Sequence, residues 1–278
     1  MTLTLAATPL GNPGDASPRL KEAIQGAEVI AAEDSRRFHR LASDLGITFT
    51  AKIISFFDGN ETVRTQEVLA LLQAGKRVLV VSDAGMPTIS DPGFRLTRDA
   101  IALDIPIVVI PGPSAPTMAL ALSGLATDRF TFEGFLSRSA GARQSHLESL
   151  RFEERTMIFF EAPHRITECL IDALEVFGSD RRAAICREMT KTYEETVRGT
   201  LNELLTWSTS KEILGEITLV IAGVPMGSAA KTADEMVHRV REFESAGMDR
   251  KDAIATVAKE FDLPKKVVYA AVVDASKS

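Results

Sequence analysis

Five short apolar runs punctuate the first 110 residues, and four stretches of helical periodicity separate them. The runs are Leu3 to Ala7, Val29 to Ala32, Ile53 to Phe57, Arg77 to Ser82 and Ile107 to Ile110. Ser17 followed by Pro18 reads as an N-cap and first helical position, with Leu20, Ala23, Ile24 and Ala27 on one face of the helix they open. A second helix carries Phe38, Leu41 and Leu45 and stops at Gly46; a third is capped by Asn60 and ends at Gly75; a fourth follows Pro92. Parallel strands need a long crossover between them, and a helix is the usual one. The alternation therefore predicts an α/β layer with a mostly parallel sheet. Arg77 to Ser82, the most continuous β-branched run, is expected as a central strand.

The pattern changes where Pro111, Gly112, Pro113 and Pro116 crowd a loop before a helix from about Ser114 to Ser123. Strands are expected near residues 130–135, 156–161, 183–188, 193–199 and 216–223. The stretch Thr192 to Thr200 follows its predecessor so closely that a hairpin, and hence a mixed sheet, is expected. Gly227 to Lys231 reads as a linker of small residues, and three short helices follow, two of them opening at Asp249 and at Asp262 to Pro264. The spacing from Phe261 to Lys265 resembles a helix-turn-helix connection; a helical cap on the body or on a second subunit is the plainer alternative. The expected organisation is an N-terminal α/β domain at 1–115, a second α/β domain with a mixed sheet at 116–226, and a helical tail at 231–278.

Composition narrows the function. No run of about 18 apolar residues is present, and the N-terminus lacks a basic stretch before its short apolar one, so a cytoplasmic chain without a membrane span is expected. Cys169 and Cys186 belong to no Cys-x-x-Cys pair and the four histidines are scattered, so no metal site is expected. The net charge of −6 leaves nucleic-acid binding only to local basic patches. The tail from Lys231 holds nine basic and nine acidic residues, so it is no charged arm.

Three Gly- and Pro-rich loops follow expected strand ends: Thr8 to Asp15, Ser82 to Gly93, and Pro111 to Ala115. In open α/β sheets, ligands collect beyond the carboxyl ends of the strands. Glycine lets the backbone approach a ligand and proline stiffens the approach. The first loop has only Gly11 and Gly14, so it is neither a dinucleotide fingerprint nor a phosphate-binding loop with Gly-Lys-Ser/Thr. One such loop reads as a tight turn; three at one sheet edge read as a site.

Seven ordered motifs carry a resemblance. They are Ala7 to Asn12, Ala32 to Arg37, Val81 to Gly93, Ile110 to Ala115, Phe132 to Leu136, Phe160 to Arg165, and Arg187 to Lys191. On these the chain closely resembles the tetrapyrrole methylase superfamily, a class of S-adenosylmethionine methyltransferases, over about residues 1–225, and within it the branch that methylates cytidine 2′-hydroxyls of small-subunit ribosomal RNA. Met86 stands where the family usually has threonine, and Ser35 where it often does. The resemblance implies a donor-binding cleft between two α/β domains and S-adenosyl-L-methionine as cofactor. It implies small-subunit ribosomal RNA or the small subunit itself as partner, and a homodimer. By the same analogy Pro9, Leu10, Gly11, Asp83, Ala84, Gly85, Met86, Ser114, Ala115, Phe160, Glu161 and Ala162 border the donor.

Methyl transfer is an in-line displacement, so positioning supplies much of the rate. A ribose hydroxyl is a weak nucleophile and is helped by a base. Glu33, Asp34, Asp91, Glu161, His164 and Lys191 are the candidates. Asp34 comes first, although its position also suits a helix N-cap. Lys191 would serve as a base only if burial lowered its pKa, and otherwise as a phosphate contact. Arg36, Arg37 and Arg40, His164 and Arg165, and Arg187 are expected to meet RNA, with Phe38 or Phe135 placed to stack on a base. Two other readings stay open: a sister methyltransferase acting on a tetrapyrrole or a protein, and a ribosome-assembly factor that binds the donor without using it.

Overall fold

The computed structural model describes residues 2–226, 228–261 and 263–276. Gly227 and Asp262, read above as part of a linker and as a helix start, lie outside the described residues.

The first sheet is built from β1 (Thr2–Ala6), β2 (Val29–Ala32), β3 (Lys52–Ser55), β4 (Arg77–Val81) and β5 (Ile107–Ile110). All its pairings are parallel and the order is β3-β2-β4-β1-β5, which puts β4 in the centre. Val78 to Val81 are all buried, as a strand covered on both faces must be. The crossovers are α1 (Pro18–Gly26), α2 (Ser35–Asp44), α3 (Glu61–Gln73) and α4 (Phe94–Ala102). Ser17 caps α1 by accepting from the Leu20 amide, as expected. Asn60 is spent differently. Its side chain accepts from the Phe57 amide and donates to the Ser55 carbonyl, holding the turn before α3 instead of capping the helix. Leu3, Val29, Ile54, Phe56, Leu72 and Leu96 fill one side of this sheet, and Leu20, Ile24, Ile30, Phe38 and Leu79 the other.

The second sheet has the order β6-β7-β10-β8-β9, from β6 (Phe130–Phe135), β7 (Thr156–Glu161), β8 (Arg182–Arg187), β9 (Glu195–Thr200) and β10 (Ile217–Ile221). Only β6 and β7 run parallel; β8 and β9 form the expected hairpin. One face packs on α6 (Ala140–Ser149), α7 (Ile166–Phe177) and α8 (Leu201–Thr209) through Leu147, Phe159, Leu170, Ile185 and Leu219. The other face packs on α5 (Ala115–Ser123), with Ala119 and Leu120 against Ile158, Cys186 and Val220. Both cysteines are buried and free.

Three further helices, α9 (Ser228–Ser245), α10 (Arg250–Glu260) and α11 (Lys265–Ala275), share their own core of Met236, Val240, Ile254, Val257, Val268 and Val272. Among the described residues no helix is long and apolar enough to cross a membrane.

Candidate active site

The carboxyl ends of β1, β2, β4 and β5 lie on one edge of the first sheet because those strands are parallel. The second sheet offers the carboxyl ends of β6, β7 and β8 together with the amino end of β10, which runs against β7 and β8. These two edges enclose a cavity of about 400 Å³. The first half lines it with Leu10, Glu33, Arg37, Asp83 to Met86, Ile89 to Asp91 and Ser114 to Pro116; the second with Phe135, Phe160 to Pro163, Met189 and Gly215 to Thr218.

Backbone geometry holds the first-half loops in place. Thr8 and Gly85 exchange backbone hydrogen bonds of 2.8 and 3.1 Å, which ties the loop after β1 to the loop after β4. Gly85 sits at φ +82, a left-handed conformation that glycine adopts without cost. The Asp83 amide donates to Glu33 Oε2 (3.1 Å), and the Asp34 amide donates to Asp83 Oδ1 (3.0 Å), cross-linking the ends of β2 and β4. Thr88 and Ser90 carry φ values of +78 and +61 without being glycine. Such strain, of order 1–3 kcal/mol each, collects where surrounding structure enforces a functional conformation.

The cavity is acidic. Glu33, Asp83, Asp91, Glu161 and Glu216 line it, against the single guanidinium of Arg37, which pairs with Asp83 at 3.4 Å. Burial, followed by the neighbouring charge of Glu33, pushes the Asp91 carboxyl up to about 7. Burial also raises Glu33, Asp83 and Glu161. The Glu161 side chain is fully buried. Its Oε1 accepts from the Ala162 amide (2.8 Å) and faces Arg165 at 3.4 Å, while Oε2 has no hydrogen-bond partner among the described residues. An unpaired buried carboxylate oxygen is costly, so this one is suited to a ligand that brings a donor. The first turn of α5 opens on the same cavity, and Ser114 makes no side-chain cap there. Its amides are therefore suited to a carboxylate or other acceptor.

Most of the expected donor contacts meet here: Leu10, Asp83, Ala84, Gly85, Met86, Ser114, Ala115, Phe160, Glu161 and Ala162 all line the cavity. Pro9 and Gly11 do not. Pro9 is buried behind the loop. A Cβ on Gly11 would fall 2.3 Å from Lys191 Cγ, so that glycine exists for contact with the second half of the chain.

The two expected catalytic residues are corrected. Asp34 accepts from the amides of Arg36 and Arg37 and pairs with the Arg36 side chain at 2.8 Å. Those bonds hold its carboxyl far below the usual range, which makes it a helix cap and a poor proton acceptor. Lys191 is pulled down by desolvation, but its Nζ donates to Glu188 and Glu216, both at 2.9 Å, and the net shift is upward. It stays charged and is no base.

The expected RNA contacts divide. Arg36, Arg37 and His164 are exposed, and Arg37 lines the cavity. Arg165 instead donates to the Leu136 and Ser137 carbonyls and faces Glu161, and Arg187 is held by Glu195 and the Leu214 carbonyl. Both are fold-holding residues. Phe38 is buried in the core, whereas Phe135 is exposed at the cavity, placed there by a β-bulge between Phe132 and Gly134. Met189 follows the carboxyl end of β8, within the Arg187 to Lys191 motif, but nothing in the sequence gave it a role. Gly215 to Thr218 were not singled out: they reach the cavity because β10 runs antiparallel to β7 and β8, and no local motif signals that. Among the described residues no group of three or more His, Cys, Asp or Glu side chains is gathered in a metal-holding arrangement.

This architecture of two α/β layers around a shared acidic cleft defines the class. The profile of the tetrapyrrole (corrin/porphyrin) methylases matches residues 2–205, and the chain belongs to that family. Among curated relatives, ribosomal RNA small subunit methyltransferase I of Mycobacterium tuberculosis is 48% identical over 258 residues, spanning 92% of this chain and 88% of the relative. The protein of the same name from Synechocystis is 43% identical, spanning 96% and 95%. Among solved structures, diphthine synthase matches with a TM-score of 0.61 at 17% identity, over 80% of this chain and 90% of that one. A uroporphyrin-III C-methyl transferase from Thermus thermophilus, complexed with S-adenyl homocysteine, matches with a TM-score of 0.57 at 13% identity, over 79% and 96%. At that identity the structural likeness shows the fold.

Proposed function

We propose that this chain transfers a methyl group from S-adenosylmethionine to the ribose 2′-hydroxyl of a cytidine in small-subunit ribosomal RNA. The observation that carries the reading is the cleft itself: five carboxylates and one guanidinium around a partly apolar cavity shared by both sheets. A nucleotide phosphate would be repelled there, whereas a ligand with a sulfonium and an ammonium is attracted. Glu161 Oε2 is suited to take a ligand N–H or O–H, and the open first turn of α5 to take a carboxylate. The names of the full-length relatives support the acceptor.

When bound, S-adenosylmethionine supplies an electrophilic methyl group on sulfur. The chain's residues do the rest. Asp91, with a carboxyl poised at about 7, takes the ribose proton; burial, and then the charge of Glu33, keep that pKa high. Arg36, Arg37 and His164 meet phosphates at the rim, and exposed Phe135 offers a face for a base drawn out of its stack. Apolar lining from Leu10, Met86 and Phe160 excludes water from the reacting centre.

The same reading divides the chain at 115/116, supported by separate cores under each sheet and by α5 packing on the second. It includes a homodimer, supported by exposed apolar side chains on α4 and edge strand β5: Phe94, Ile101, Val108 and Val109. Equilibrium sedimentation tests that part.

The decisive experiment offers radiolabelled donor and small ribosomal subunits from cells lacking the protein, then digests the RNA. Label on 2′-O-methylcytidine, absent with wild-type subunits, is the expected result. Donor binding without label on RNA would overturn the acceptor and move attention to tetrapyrrole or protein substrates.

A further inference from the structure

The chain is acidic overall, and its last three helices carry balanced charge. The structure nevertheless separates those charges. A groove of about 550 Å³ between the first turns of α10 and α11 is lined by Asp249, Arg250, Lys251, Lys265, Lys266 and Tyr269, over a floor of Ile254. Four cations thus face one carboxylate, and that carboxylate is occupied, because Asp249 caps α10 by accepting from the Lys251 amide at 3.2 Å. Arg250 has a loose partner in Glu244 at 3.7 Å. Lys251, Lys265 and Lys266 have no ion-pair partner among the described residues, and all three are exposed. Tyr269 stands one turn after Lys265 on the same face of α11, 59% exposed.

This arrangement works against the stability of the helices that carry it. Lysine in the first turn opposes the helix dipole: both α10 and α11 begin with basic pairs, offset in α10 by Asp249 and Asp252 but by no acidic residue in the first turn of α11. A local choice that conflicts with folding is the mark of a functional surface. The cations and an exposed aromatic ring from the starts of two helices converge on one concavity. That combination suits a phosphodiester backbone with a base available for stacking, and the cations repel a cationic partner.

We propose that the groove between α10 and α11 is a second RNA-contacting surface, binding ribosomal RNA through backbone phosphates while Tyr269 stacks on an unpaired base. This rests on the ribosomal RNA reading of the cleft, and assigns the tail the task of holding the substrate while the cleft modifies it. The contribution belongs to binding and not to the chemical step.

The test uses the full chain. Lys265→Glu with Lys266→Glu reverses two charges at exposed positions, and Lys265→Gln with Lys266→Gln neutralises them. Affinity is measured for extracted small-subunit RNA and for whole small subunits over a range of salt, alongside methyl transfer and donor binding. The expected result is a rise of at least ten-fold in Kd for both RNA and subunits, and a loss of about two from the slope of log affinity against log salt. KM for RNA rises with Kd; kcat at saturation and donor affinity hold. The Glu variant should also melt higher, since acidic residues suit a helix N-terminus, so weaker binding cannot be blamed on unfolding. Tyr269→Ala should weaken binding at least five-fold with the salt slope unchanged. Unchanged RNA affinity and slope in the lysine variants would overturn the proposal. So would a loss confined to whole subunits with free RNA bound normally, which would assign the groove to a ribosomal protein. If the wild-type chain binds RNA through these lysines yet transfers no methyl group to it, the groove stands and the acceptor reading of the cleft falls.

Discussion

At the scale of single residues, the cleft turns on carboxyl groups whose environments set them apart. Asp34 and Asp91 are both near strand ends of the first sheet, yet Arg36 and two amides hold Asp34 low while burial and Glu33 lift Asp91 to about 7. Asp91→Asn should therefore lower kcat by about 10²–10⁴-fold, the range of a lost general base, with donor affinity little changed. Wild-type activity should climb as pH rises through about 7, because the carboxylate is the proton-accepting form, and that limb should vanish in the variant. A flat wild-type profile across pH 6–8 would remove Asp91 from the mechanism. The same group affects stability with a definite sign. Its folded pKa is raised above the ordinary 3.8, so the native state binds more protons between 3.8 and about 7, and stability falls as pH rises through that window. Asp91→Asn is thus expected to raise Tm at neutral pH by about 2–4 °C for each kcal/mol of repulsion removed. The rim arginines separate as cleanly. Arg36→Ala should weaken RNA binding and lower its salt slope by about one while Tm holds, since the side chain is 90% exposed. Arg165→Ala should lower Tm, because it frees the Leu136 and Ser137 carbonyls and leaves Glu161 unpaired.

At the scale of elements, the loop from Ser82 to Gly93 is where strain and chemistry coincide. Thr88 and Ser90 hold left-handed backbone between the Asp83 and Asp91 carboxyls, and Glu61 of α3 fixes the far end by accepting from the Gly93 and Arg95 amides. Ser90→Gly relieves the strain at one position and is expected to stabilise the fold by about 1 kcal/mol. It also loosens Asp91, so kcat should fall while Tm rises; a variant that gains both would show that the strain has no bearing on the site. A contrasting bond joins two helices of the second half, where buried Arg143 of α6 pairs with Asp172 of α7. Asp172→Ala leaves that buried guanidinium only the largely exposed Glu168, at 3.6 Å, and should cost about 3 kcal/mol. This scale also explains what the sequence could reveal. Parallel order, the hairpin and the Gly-Pro loops were legible because period, breaker residues and motif all act within a few positions of one another. Asn60 was legible as a residue of a helix start, but not the choice of its amide for the turn instead of the cap. The cap role of Asp34 was legible from its place before α2, though not its pairing with the Arg36 side chain; the roles of Lys191, Arg165 and Arg187 were not legible, because each is decided by a distant partner: a glutamate 25 residues on, a carbonyl 29 residues back, a carbonyl 27 residues on.

At the scale of the whole molecule, the cleft exists only when both sheets are present. The loop after β1 reaches the second half through Asn12, whose amide donates to Thr190 Oγ1 at 3.2 Å, and through Gly11 packed on Lys191. Lys191 in turn clamps Glu188 to Glu216, at the mouth of β10. A ligand lined by both halves must therefore stabilise them together. With S-adenosylmethionine at one hundred times its Kd, linkage adds about 2.7 kcal/mol, enough to raise Tm by about 5–10 °C in a chain of this size. Differential scanning calorimetry should show one transition moving as a unit across residues 2–226, with the α9–α11 core of Met236, Val240 and Val257 melting independently of donor. Lys191→Met should reduce the donor-induced shift although Lys191 does not itself line the cavity, because it releases the clamp that sets Glu216 in the cleft. If donor instead shifted the melting of one sheet and left the other where it was, the cleft would belong to a single half. The juxtaposition of Asp83 and Asp91 with Glu161 and Glu216 would then have no part in holding the donor.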